Sequence, residues 1–206
     1  MLIRVVITRA DIPRTGEGIA YVHGEIQPKV AAMQGNTGFA LAVDHASQRY
    51  IGLAGWAEED ALTATADQAA GLISDVARRL SGTEPEVEVF DLAVRHAVKP
   101  LRIGYWGQLT RMTVSSSDID RMVKRFRETA LPVFERDDGL AAIDLFVNRA
   151  SGVAGSAIWF DGVQVLRRSR PLVEEMQELL AEDVPTLAIV EDAEIEVVIA
   201  EIAPQP

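Results

Sequence analysis

The sequence predicts an α+β fold made of two tandem βαββαβ repeats, and three observations predict it. Residues 28–56 reappear at 132–159: Pro28 stands seven residues before Gly35, and Pro132 seven before Gly139. Strand-like and helix-like apolar periods follow one another in the same order in both halves. The 206 residues also suffice for two domains of about 100 each. A period this long is not that of a solenoid, so the halves are read as two copies of one domain, 1–98 and 99–206. Trp56 follows Gly35 by 21 residues and Trp159 follows Gly139 by 20. The missing residue is expected in a hairpin turn, after Val43-Asp44 in one copy and Val147-Asn148 in the other, where deletion is best tolerated.

The elements follow from local pattern. Residues 2–9 are rich in Ile and Val and read as a strand. Ile19, Val22, Ile26 and Val30 fall at helical spacing and predict a helix over 15–33. Strands are expected at 38–43 and 50–56 around a polar turn. Glu58, Glu59 and Asp60 suit the positive end of a second helix that runs to about Leu80, with Gly82 and Pro85 as stop signals. Residues 86–95 form the closing strand. The second copy repeats the order: strand 107–114, a helix striped by Ile119, Met122, Phe126, Ala130 and Phe134, hairpin strands 140–147 and 153–160, a helix opened by Asp161, and a last strand 194–202.

A βαββαβ unit folds as an antiparallel sheet with both helices on one face, the ferredoxin-like plan. The other face is expected to carry Ala42, Tyr50, Ala54 and Trp56 in the first copy, and Phe146, Ala157 and Trp159 in the second. Such a patch is too apolar to stay wet. Two sheets in one chain can cover each other, which predicts an intrachain pseudo-dimeric α/β barrel with a space between antiparallel sheets.

Composition narrows the partners. A net charge of −11 repels phosphate, so neither nucleic acid nor an anionic membrane is expected. There is no cysteine, which excludes disulfides, thiolate-held metals and thiol nucleophiles. His23, His45 and His96 show no metal-ligand spacing, so no metal site is expected. The N-terminal stretch alternates and carries arginines, unlike a signal peptide, and a cytoplasmic location is the expectation.

At these residues the chain resembles the antibiotic biosynthesis monooxygenase-like proteins of the dimeric α/β-barrel superfamily. The second copy carries the likeness in Glu128-Thr129-Ala130-Leu131-Pro132, Gly139-Leu140, Val147-Asn148-Arg149-Ala150-Ser151-Gly152 and Trp159. The first carries it in Glu25-Ile26-Gln27-Pro28, Gly38-Phe39 and Trp56-Ala57-Glu58-Glu59-Asp60-Ala61-Leu62. In that family two chains usually make the barrel; here the fused copies imply a monomeric pseudo-dimer or a homodimer. The resemblance implies a barrel that binds a small aromatic or apolar molecule, with cofactor-independent oxygenation as one activity. Quinone-forming members place Asn four residues before the hairpin Trp, where this chain has Gly52 and Gly155. Haem-degrading members place His about ten residues after it, where this chain has Thr65-Ala66 and Ser169-Arg170. Neither chemistry carries over residue by residue, and no cofactor is implied.

The candidate ligand-binding residues are Trp56, Trp159, Tyr50, Phe146 and Arg4, expected between the two sheets. Each tryptophan either stacks on a flat ligand or anchors the core. Asp144 is the candidate general base, since burial would raise its pKa. The alternative is an ion pair with Arg4 or Arg111. Arg4, mid-strand in an apolar run, either bridges an acidic group or clamps an anionic ligand. The competing function is a non-catalytic binding or interaction protein with a barrel filled by side chains.

Overall fold

The structure, a computed structural model, describes residues 1–9, 15–80, 83–135 and 137–202; Gly82 lies outside the described residues. It divides into two compact units, Met1–Phe90 with Glu196–Pro206, and Asp91–Ile195.

In the first unit β1 (Leu2–Arg9) and β2 (Asn36–Asp44) both pair antiparallel with β3 (Arg49–Trp56). The first helical stretch is α1 (Thr15–Tyr21), a π turn (Val22–Ile26) and α2 (Gln27–Ala31), where the sequence predicts one regular helix. Pro28 gives the reason. Proline has no N–H, and its ring clashes with the carbonyl four residues back, so a wider turn just before it relieves both. The second helical stretch is α3 (Glu59–Ala64) and α4 (Ala66–Leu80), broken at Thr65. The Thr65 hydroxyl donates back to the Ala61 carbonyl at 2.9 Å, a bond that competes with the helix. The strand β4 (Glu86–Ala97) begins in this unit.

The second unit holds the rest of β4, then β5 (Trp106–Thr113), α5 (Ile119–Arg125), a π turn (Phe126–Ala130) and α6 (Leu131–Phe134). The hairpin strands β6 (Leu140–Asn148) and β7 (Val153–Phe160), α7 (Val163–Arg168) and α8 (Arg170–Asp183) follow. The last strand, β8 (Ala188–Ile202), returns to the first unit at Glu196, where Val43 pairs with Glu196 and Phe39 with Glu201. Hydrogen bonding runs in the closed order β1-β3-β2-β8-β5-β7-β6-β4, the strand plan of the predicted α+β barrel. Asp161 does not cap α7; Gly162 holds that position and Asp161 pairs with Lys99 at 2.7 Å.

The copies match residue for residue at a constant offset of 104: Leu2 corresponds to Trp106, Val22 to Phe126, Asn36 to Leu140 and Arg49 to Val153. No residue is missing from the hairpin turn. The last loop residue is left-handed in both, Gln48 at φ 56° and Gly152 at φ 71°. The turns are also tied alike, Ser47 N–H donating to Asp44 and Ser151 N–H to Asn148. Trp56 therefore corresponds to Phe160, and Trp159 to Gly55. A one-residue difference in strand position reverses the face, so the two tryptophans point to opposite sides of their sheets.

Candidate functional site

In the first unit the sheet face toward the helices is set by alternation. Arg4 lies opposite Ala54, Val6 opposite Gly52 and Thr8 opposite Tyr50, while Phe39 and Leu41 of β2 flank Ala54 and Gly52 from the other side. Tyr50, Ala54 and Trp56 pack in one cluster with Val22, Ile26 and Val30 of the helical layer. This corrects the sequence expectation that Tyr50, Ala54 and Trp56 lie on the face away from the helices. Only Ala42 of that set, odd with respect to Leu41 and Val43, has the expected sense.

Between this sheet face and its helices lies a cavity of about 80 Å³, floored by Arg4, Gly52 and Trp56 and walled by Val22 and Ile26 of the π turn and Leu72 of α4. This cavity lies between a sheet and its own helices. Gly52 keeps it open: a Cβ there would find nothing nearer than 3.8 Å. Gly18 lets the Tyr50 ring in, since a Cβ at Gly18 would sit 2.8 Å from the Tyr50 hydroxyl oxygen.

Among the described residues Arg4 is the one charge in the lining. It is 7% exposed and its guanidinium carbon lies 4.7 Å from the centre of the Trp56 ring, a cation–π contact. Nη2 donates to the Leu62 carbonyl at 3.4 Å, but Nη1 has no acceptor. Among the described residues no carboxylate pairs with it. Burial pushes the Arg4 pKa down, though a guanidinium keeps its charge in a protein. The indole N–H of Trp56, 1% exposed, also lacks an acceptor among the described residues.

The same layer in the second unit is packed with side chains. Phe126, Phe134 and Met112 stand where the first has Val22, Val30 and Thr8, and all three are buried in one core cluster. Phe134 meets Phe160 edge to face with ring centres 6.5 Å apart. Gln108 replaces Arg4, and Phe160 replaces Trp56.

Asp144, Phe146 and Trp159 lie on the opposite face of the second unit's sheet, with Asp144 against Ala157 and Phe146 against Gly155. Asp144 accepts the Trp159 indole N–H at 3.3 Å, and its other oxygen is 3.7 Å from Arg95. Its ion-pair partner is Arg95. The six predicted site residues thus form two groups: Arg4, Tyr50 and Trp56 around the first unit's cavity, and Asp144, Phe146 and Trp159 in the second unit. Sequence reasoning missed the π-turn wall, for which Pro28 and Pro132 were the available signal. Among the described residues no group of acidic or histidine side chains is placed to hold a metal, and no helix is long and apolar enough to cross a membrane.

No family model matches the chain. It is 30% identical over 153 residues to the uncharacterized protein Rv2557 of Mycobacterium tuberculosis, covering 74% of this chain and 68% of that protein. The uncharacterized protein Rv2558 of the same organism is 27% identical over 184 residues, covering 89% and 77%. Among solved structures, a candidate monooxygenase of Lactobacillus acidophilus aligns with a TM-score of 0.73 at 11% identity, over 98% of this chain and 95% of that one. An anthrone oxidase-like protein aligns with a TM-score of 0.68 at 13% identity, over 99% and 94%. A ferredoxin-fold protein of Listeria monocytogenes related to antibiotic biosynthesis monooxygenases aligns at 0.54 and 11% identity, over 95% and 94%. The fold is that of the antibiotic biosynthesis monooxygenase-like α/β barrels.

Proposed function

The chain belongs to the family of the Mycobacterium tuberculosis protein Rv2557, and from that premise we propose that it binds one small, mostly apolar molecule in the cavity of its first unit. The observation that carries this reading is the contrast between equivalent layers: the first unit leaves space under α4 and the π turn, whereas Phe126, Phe134 and Met112 fill the second. Ligand sites are concave, mostly apolar and furnished with few polar groups. The open volume of about 80 Å³ is well below the roughly 300–1,000 Å³ of drug-sized sites. The ligand is accordingly a single ring or a short chain.

Cofactor-independent oxidation is the second reading. It is favoured by Arg4, whose charge would stabilise the ionised form of a bound acidic substrate. Against it, the three fused rings of an anthrone exceed the cavity, and Asp144, the candidate base, belongs to the other group of residues.

Titration with benzyl alcohol, followed by calorimetry and by the Trp56 indole resonance, tests the binding reading. One molecule per chain is expected, and Gly52→Leu, which fills the floor, should abolish it. Binding that persists unchanged in Gly52→Leu places the ligand elsewhere. Oxygen uptake on adding anthrone would favour the oxidative reading.

A further inference from the structure

We propose that the molecule held in this cavity is a small organic anion, a carboxylate or phenolate whose oxygens accept hydrogen bonds from Arg4 and Trp56. The inference rests on the binding site proposed above and adds its ligand class. Guanidinium and indole nitrogens are donors only. Here two of them, Arg4 Nη1 and Trp56 Nε1, are buried in residues lining one cavity, and neither meets an acceptor among the described residues. A buried donor without a partner is destabilising, and an unpaired buried charge more so. Two such donors side by side ask for an acceptor that carries negative charge.

The fold itself does not require them. In the second unit the equivalent layer is built with Gln108 in place of Arg4 and Phe160 in place of Trp56, which removes both the charge and the indole N–H. Both donors occur in the copy that has the open space and are absent from the filled one. Two half-buried arginines are met by buried carboxylates: Arg49 reaches Asp44 at 2.7 Å, and Arg95 lies 3.7 Å from Asp144. Arg4 stands apart from that pattern. Among the described residues the remaining lining is apolar save for Thr8 and the Tyr50 hydroxyl, so one end of the ligand is charged and the rest is hydrocarbon. A planar carboxylate also matches the fork of a guanidinium.

Matched pairs of probes test the inference on the intact chain: benzoate against benzyl alcohol, and hexanoate against 1-hexanol. Affinities come from calorimetry, and the Trp56 indole N–H is followed by NMR, assigned by its loss in Trp56→Phe. The better anion should bind at least about tenfold tighter than its alcohol and move the Trp56 indole proton downfield, as a charge-assisted acceptor does. Arg4→Met should erase that preference while leaving alcohol binding within about threefold, and Arg4→Lys should restore part of it. Equal binding of anion and alcohol by the native chain overturns the anion assignment and leaves the cavity site standing. Absence of binding by all four probes, with an unmoved Trp56 resonance, overturns both. An anion preference that survives Arg4→Met also overturns it. If Arg4→Met does not fold, the comparison within the native chain decides.

Discussion

Asp144 receives the Trp159 indole N–H on one carboxylate oxygen at 3.3 Å, while the other makes no hydrogen bond and lies 3.7 Å from Arg95. Burial raises the Asp144 pKa above the usual carboxylate range, outweighing the lowering by Arg95 and by Trp159. The folded chain therefore keeps this proton where the unfolded chain has lost it. Stability from Asp144 is whole below the unfolded carboxylate range and is lost as pH rises toward the folded value. Asp144→Asn keeps an acceptor for Trp159 and removes the charge. It should raise stability at neutral pH by about 1–2 kcal/mol and make no difference in the acid limb, as read by urea unfolding across pH.

Asp44 behaves in the opposite sense. Burial alone would raise its pKa, but the Ser47 backbone N–H and the Arg49 guanidinium outweigh burial and hold the carboxyl below its usual range. Its contribution is present above the unfolded value and is lost as pH falls through the folded one. Asp44→Asn should lower stability near neutrality by about 2–3 kcal/mol, with the deficit shrinking on acidification. A deficit that is flat with pH would show that the charge is not the stabilising element.

The left-handed turn position offers a pair of opposite effects. Gln48, at φ 56°, holds a conformation in which a Cβ is strained by about 1 kcal/mol. Gln48→Gly should raise stability by roughly that amount. At Gly152 an added Cβ would lie 2.5 Å from the Val114 carbonyl oxygen as well as facing φ 71°, so Gly152→Ala should cost about 2–3 kcal/mol. Thermal melts of the two variants read both signs.

Phe134 is fully buried against Phe160, and Phe134→Ala should cost about 3–5 kcal/mol by opening a hole in the second unit. That hole should take up benzyl alcohol without favouring benzoate, because Gln108 and Phe160 stand where the first unit has Arg4 and Trp56. A second calorimetric site with equal affinity for both probes is the expected result.

Strand and helix order, the existence of both hairpins and the α+β plan were legible because period and turn chemistry are local properties, whereas the equal length of the two hairpin loops was not. Arg4 was legible too, as a charge in the middle of an apolar strand. The faces of the tryptophans were not. Trp159 and Phe160 are neighbours, and pairing the wrong aromatic with Trp56 shifted the comparison by one residue, enough to invert a strand face. The π turns escaped because their apolar stripe differs little from that of a regular helix, although Pro28 and Pro132 marked the sites. The cavity depends on which of two matched layers carries Phe at positions 22 and 30 of the first copy or their equivalents, a matter of volume summed over distant segments that no local pattern records.

The pairing of Gly38–Val43 with Glu196–Ile202 has a consequence for biosynthesis. On the ribosome β2 and its partner β3 are made early but β8, the partner of β2's other edge, is made late, so the first copy waits with an unpaired strand edge through the whole translation of the second. Exposed edges recruit other chains. Newly made protein should therefore be most prone to aggregate while that partner is still unmade, and release of nascent chains stalled before Glu196 should yield insoluble material that chains stalled beyond the end of β8 do not.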